Sequence, residues 1–194
     1  MEESLFEGES VRLRSLELSD VPLIMKHWNN IDLRKELGPV VPHSSNEREM
    51  WVRQTWKERE QRTAFVFAIE TRKDRYFLGH CALKNVRWIN RSAIVSIAIY
   101  NKSDRGKGYG TDALKVLLRV GFDFLNLHRI ALNVFHTNKQ ALHVYEKIGF
   151  KKVGELRETD FVDGKYVNDV IMDMLEEDYR QLYHTKLAKN CLRG

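Results

Sequence analysis

The sequence predicts an α/β (α+β) domain: a mixed, mostly antiparallel central sheet of about seven strands with helices on both faces. Three observations carry that prediction. Residues 65–69, 76–83 and 93–100 are closely spaced runs rich in aromatic and branched residues, joined by polar connections, as in an antiparallel meander. Two segments with helical apolar spacing precede the meander. A strand, helix, strand unit follows it, which normally forms a right-handed parallel crossover. The expected order is strand, two helices, three strands, helix, strand, helix, two strands.

The elements follow one by one. Residues 10–14 alternate apolar and polar, as a half-buried strand does. Ser19 or Asp20 is placed to cap a helix carrying Val21, Ile24, Met25 and Trp28. Pro39 and Pro42 then interrupt, because each biases the residue before it towards extended geometry. Ser44 with Glu47 three later reads as a capping box opening a second helix to about Arg62. In that helix Arg48, Arg53, Lys57, Arg59 and Arg62 read as a solvated basic face, with one narrow face buried through Val52 and Trp56. After the meander, Leu114, Leu117, Leu118, Gly121, Phe122 and Leu125 form one apolar stripe on a helix of about four turns. Residues 129–135 are the next strand. Asn138 caps a short helix with Ala141, Leu142, Tyr145 and Ile148 inward, and Gly149 is placed to end it. Residues 150–156 and 166–175 are the last strands, joined by a turn at 162–165. One domain is expected over 1–178, with a basic tail over 179–194 that is helical at first.

Composition narrows the classes. The 194 residues are 43% hydrophobic and 30% charged with three prolines, which suits one globular domain rather than disorder. A net charge of +5 favours anionic partners without choosing among them. Two cysteines, Cys81 and Cys191, make no disulfide framework, and seven histidines show no ligand spacing, so no metal is expected. The N-terminus lacks signal-peptide character and no apolar run reaches membrane length, so a cytoplasmic protein without membrane association is expected. No nucleic-acid motif is present, and the basic residues are spread rather than interleaved with aromatics, so no direct nucleic-acid partner is expected.

The most informative stretch is Arg105-Gly106-Lys107-Gly108-Tyr109-Gly110-Thr111, between the meander and the long helix. Three glycines let the backbone take positive φ and approach a bulky partner, and the amides of a helix start point the same way. That combination holds an anion, most simply a phosphate. It is not a P-loop, since Gly106-Lys107 is followed by Gly108 rather than Ser or Thr.

Arg105-x-x-Gly108-x-Gly110, together with Asn138-x-x-Ala141-x-x-x-Tyr145-x-x-x-Gly149-Phe150 and the order of elements, resembles the GNAT superfamily of acetyl-CoA-dependent N-acetyltransferases. The resemblance spans about residues 11–175. It implies that 105–111 cradle the pyrophosphate of coenzyme A and that Ile97, Ala98 and Ile99 lend backbone to the pantetheine amides. It further implies that Asn138 and Ala141 flank the pantetheine, that Tyr145 protonates the departing thiolate, and that Lys147 reaches the phosphate end. In many members the strand before the loop splays from its neighbour, and the thioester lies between them.

The chemistry implied is attack of an amine on a thioester. A side-chain ammonium has a pKa of about 10.4 and an α-ammonium about 8, so a proton must be removed. Many relatives place Glu at the head of the fourth strand for this; here Ile94 stands there. Ser96 and Glu158 are the base candidates, with His136, Glu155 or an ordered water as further possibilities.

Within the superfamily the pattern is similar to ribosomal-protein N-terminal acetyltransferases and to spermidine acetyltransferases. The N-terminal helices are not acidic, so a protein or peptide α-amine is the expected acceptor, with a polyamine or other small amine as the alternative. An acetyl-CoA-binding sensor without turnover is the reading from another class. A homodimer is left open.

Overall fold

The computed structural model describes residues 4–37 and 41–183, so Gly38, Pro39, Val40 and the basic end of the tail lie outside the described residues. Seven strands form one sheet: β1 Val11–Ser15, β2 Phe65–Thr71, β3 Phe77–Arg87, β4 Ser92–Ile99, β5 Arg129–Phe135, β6 Lys151–Val162 and β7 Lys165–Leu175. Their order across the sheet is β1-β2-β3-β4-β5-β7-β6. Only β4 and β5 run parallel; every other neighbouring pair is antiparallel. The mixed, mostly antiparallel sheet expected from sequence is present.

Alternation along the strands builds two cores. Val66, Ala68, Ala82 and Ala98 face α1 (Val21–Trp28), α2 (Ile31–Leu37) and α3 (Ser45–Glu60) through Ile24, Trp28, Leu33 and Val52. Phe67, Ile69, Cys81, Leu83 and Val95 face the other way, onto Leu114, Leu117 and Leu118 of α4 (Tyr109–Arg119). Ile148 of α5 (Lys139–Ile148) and Tyr179 of α6 (Glu176–Leu182) complete that second core. The expected capping box of α3 forms: Glu47 N donates to Ser44 Oγ at 3.2 Å, and Ser44 N to Glu47 Oε2 at 2.6 Å, whereas Asp20 at the N-cap of α1 makes no side-chain cap bond there and accepts instead from Glu17 N at 2.9 Å.

Four features depart from the sequence expectations. α2 is an additional helix, too short for its periodicity to stand out beside the prolines that follow. The long stripe is α4 followed by a π turn over Val120–Phe124, where Gly121 passes so close to β5 that a Cβ would meet Ile130 Cδ1 at 2.6 Å. β6 runs on to Val162 by absorbing register shifts, one of them between Leu156 and Asp160 with Glu158 at φ 53°. The domain boundary expected after residue 178 falls inside α6, because Tyr179 is 3% exposed and stacks on Phe122 at 4.8 Å.

Asp112 fastens the N-terminal edge to α4. Its carboxylate accepts from Ser10 N at 2.7 Å, Ser10 Oγ at 2.9 Å, Val11 N at 3.0 Å and Glu9 N at 3.1 Å. Asp112→Ala strands these donors, and hydrogen bonds to a charged group are worth about 1.5–3 kcal/mol each before water replaces some. We expect a loss of about 2–4 kcal/mol of unfolding free energy, read by urea denaturation; a change below 1 kcal/mol would contradict it. No helix of the described residues is long and apolar enough to cross a membrane.

Candidate active site

The parallel pair β4–β5 holds register for only three residues, Ser92↔Arg129, Ala93↔Ile130 and Ile94↔Ala131. β4 nevertheless continues to Ile99 and β5 to Phe135, so beyond Ile94 and Ala131 the two strands diverge. The sheet opens there, and the β5-facing backbone groups of the far half of β4 are left without a strand partner. Backbone groups in an open sheet seek partners. An extended molecule carrying amides fits between the strands as an extra strand would.

The glycine loop closes one end of this opening. Gly106 has φ 76° and Gly108, the N-cap of α4, has φ 87°. The amides of Tyr109, Gly110 and Thr111, in the first turn, have no helical carbonyl to donate to, and the helix dipole adds positive character. A Cβ on Gly106 or Gly108 would meet nothing within 4 Å, so the space over the loop is open, as a bulky anion requires. Gly110 sits in ordinary contact with Ile97 and Ile99, 3.7–3.9 Å from where its Cβ would be, which keys the loop to β4.

The formal charges beside the loop are engaged within the protein. Arg105 donates through Nε to the Ile99 carbonyl at 3.0 Å and through Nη1 to both oxygens of Glu36, at 2.7 and 2.9 Å. Its first role is therefore to staple α2 and the end of β4 to the loop. Lys107 Nζ lies 3.3 Å from Asp104 Oδ1. The loop amides are left as the primary donors to a phosphate.

Asn138 and Tyr145 come from the start and middle of α5. Asn138 Oδ1 accepts from Ala141 N at 3.1 Å, which fixes the side chain and leaves its amide nitrogen available. Tyr145 packs edge-on against Phe150 at 5.8 Å, and burial pushes its phenol up to about 12. A phenol so held stays protonated at neutral pH and can donate. Lys147 is exposed on the outer side of α5.

The base candidates are placed less favourably. Ile94 is 39% exposed at the last β4–β5 pair, so an apolar side chain occupies the head of the opening. Ser96 lies two residues on, and its Oγ is buried with no hydrogen-bond partner. Glu158 is exposed on β6, the outermost strand, with β7 between it and β5; the fold does not bring it to the opening. Glu155 is tied to Lys152 and Asn168, both at 2.7 Å, and those bonds hold its carboxyl below the usual range. His136 Nδ1 accepts from Asn168 N at 3.0 Å, which ties the ring to β7.

On the α1–α3 face of β4 lies a cluster that the sequence reading placed elsewhere. Arg48, expected on a solvated face, is 8% exposed, and Arg59 donates to the Val66 carbonyl at 2.8 Å and to Ser15 Oγ. Arg48, Val52, Thr55 and Arg59 recur at i, i+4, i+7 and i+11, which is the signal that marks an inward stripe. His80 Nδ1 and Tyr100 Oη lie 2.8 Å apart beneath Trp28 and Trp51, and burial lowers the His80 pKa to about 3. Among the described residues no group of three or more His, Cys, Asp or Glu is arranged to hold a metal ion.

A strand pair that splays beside a glycine-capped helix start stands where the sequence resemblance expects a cofactor, and the half-buried Tyr145 is on α5. The acetyltransferase (GNAT) domain family matches residues 10–151, and the chain belongs to that family: it is an acetyl-CoA-dependent N-acetyltransferase of the GNAT type. Among characterised relatives, it is 29% identical to spermidine N(1)-acetyltransferase of Escherichia coli K12 over 89% of each chain. It superimposes on the crystal structure of spermidine N-acetyltransferase from Vibrio cholerae in complex with CoA and spermine with a TM-score of 0.79. That match has 30% identity and covers 87% of this chain and 97% of that one. A putative ribosomal N-acetyltransferase of Bacillus subtilis is 31% identical over 52% of this chain and 55% of its own length.

Proposed function

We propose that the chain acetylates the primary amine of a small molecule, using acetyl-CoA, with the thioester lying between the diverging halves of β4 and β5. The observation that supports this most directly is the loss of β4–β5 pairing after Ile94 and Ala131, beside the open amides of Tyr109, Gly110 and Thr111. Acetyl-CoA supplies an activated acetyl group when bound. The loop amides of 106–111 hold its pyrophosphate, backbone from Ile97 to Ile99 pairs with its pantetheine, and Asn138 donates to it from the facing side, next to Ala141. Lys147 adds charge at the phosphate end. The Tyr145 hydroxyl gives its proton to the departing sulfur.

With Ile94 at the head of β4, no carboxylate stands where the amine enters. The acceptor therefore loses its proton to water, which the unpaired Ser96 Oγ can hold. The spermidine acetyltransferases are matched over nearly their whole length, and the putative ribosomal relative over about half. Similarity thus supports a small amine over the protein α-amine expected from sequence, and family membership favours turnover over the sensor reading. Polyamine acetylation is the second reading, and those relatives are its support.

Release of free thiol from acetyl-CoA, measured across spermidine, small monoamines, amino acids and N-terminal peptides, tests the proposal. We expect turnover with small amines, and kcat/KM rising with pH along a limb that follows each acceptor's own ammonium pKa rather than a fixed enzyme group. Turnover confined to peptides would overturn the small-molecule reading. A limb fixed near the carboxylate range for every acceptor would restore an enzyme base.

A further inference from the structure

The surroundings of Arg48 are unexplained by the cofactor half of the site. Its guanidinium lies 4.6 Å from the centre of the Trp28 ring and 5.3 Å from that of Trp51. Nη2 donates to His43 Nδ1 at 2.7 Å, but Nε is buried with no acceptor, and no carboxylate pairs with Arg48 among the described residues. Trp28, 7% exposed, buries an indole Nε1 that also has no acceptor. Both groups can only donate. A second guanidinium, that of Arg34, lies 4.9 Å from the centre of the same ring. The neighbouring His80 and Tyr100 contribute no negative charge.

Burying a cation without a counter-ion is costly, and unpaired buried donors are rare. A cluster of this kind is complete only when an acceptor-only, negatively charged group joins it. The position is pertinent. His80 stands opposite Ala98 in the β3–β4 register, on the sheet face that also carries Ser96 and Ile94. The cluster therefore lies on one face of the strand that lines the opening.

We propose that the acceptor carries a carboxylate in addition to its amine, received by Arg48 and Trp28 Nε1 while the amine is presented at β4. The proposal rests on the small-amine reading above and narrows it. Two donors on adjacent flat groups suit the two oxygens of a carboxylate. Trp51 and His43, half-buried over the guanidinium, must turn aside for a carboxylate to reach it. A polycation such as spermidine meets like charge in the same place.

The test compares matched amines differing only in the carboxylate: ornithine with putrescine, histidine with histamine, tyrosine with tyramine, and spermidine beside them. The wild-type chain should acetylate a carboxylate-bearing member with kcat/KM about tenfold or more above its decarboxylated partner, or about 1.4 kcal/mol. Arg48→Gln should collapse that preference through KM for the acid, and Arg48→Lys should restore part of it. Preference for the decarboxylated amines or for spermidine would overturn the inference while leaving the small-amine reading intact. A preference unchanged in Arg48→Gln would overturn Arg48 as its reader. Thiol release with none of these amines, despite acetyl-CoA binding, would sink the small-amine reading itself. If the Arg48 variants fail to fold, the wild-type comparison alone decides.

Discussion

Gly108→Val will weaken acetyl-CoA binding about a hundredfold or more, close to 2.8 kcal/mol, while leaving a folded protein. The size follows from two costs in the same place. Gly108 has φ 87°, a left-handed conformation that costs a residue with a Cβ about 1–2 kcal/mol and a β-branched one more. The backbone relieves this by relaxing, which turns away the amides of Tyr109, Gly110 and Thr111. The new methyls also occupy the space over the loop, which holds nothing within 4 Å of a Cβ at Gly106 or Gly108. That emptiness is why the free protein tolerates the change: no protein atom is struck, only the volume an incoming pyrophosphate needs. Isothermal titration with acetyl-CoA, alongside a melting curve, separates the two outcomes. Gly108→Ala should fall between, at about tenfold. Near-normal affinity in the valine variant would show that the phosphate is held elsewhere.

Tyr145→Phe should lower kcat about 10²- to 10³-fold with acetyl-CoA affinity changed little, as expected for loss of one general acid. The ring contact with Phe150 survives the change, so packing is kept and the phenolic proton alone is removed. The sign of the pH dependence is distinctive. Burial raises this phenol to about 12, above the ordinary value near 10, so the donating form persists through the alkaline range in which acceptor amines lose their protons. Wild-type kcat should therefore show no falling limb between pH 8 and about 10 from this group. Unchanged turnover in the phenylalanine variant would reduce Tyr145 to a packing residue.

How far the sequence could be read depended on which interactions were local. The glycine loop, the Asn138 cap and the Gly149 stop depend on backbone geometry over a few residues, and each formed where its pattern stood. The meander and the crossover followed from alternation and connection length. Arg48 was misplaced for a physical reason: arginine is usually solvated, and its burial here depends on Trp28 and Trp51 arriving from α1 and the next turn of α3. The pairing of Arg105 with Glu36 was not legible because Glu36 sits on a seven-residue helix 69 positions away. Glu158 looked available because strand order is not local, and β7 intervenes between it and β5. The local features around the glycine loop and α5 were thus legible, while the Arg48 cluster was built from long-range contacts that composition does not carry.

The central claim is that the diverging halves of β4 and β5 receive the thioester in front of Tyr145. A crystal structure of the chain with coenzyme A tests it most directly. We predict the sulfur beyond the Ile94↔Ala131 pair, between β4 and β5, with the Tyr145 hydroxyl about 3 Å away and the pyrophosphate on the amides of 106–111. Coenzyme A bound along any other edge of the sheet, or a sulfur out of reach of Tyr145, would contradict it.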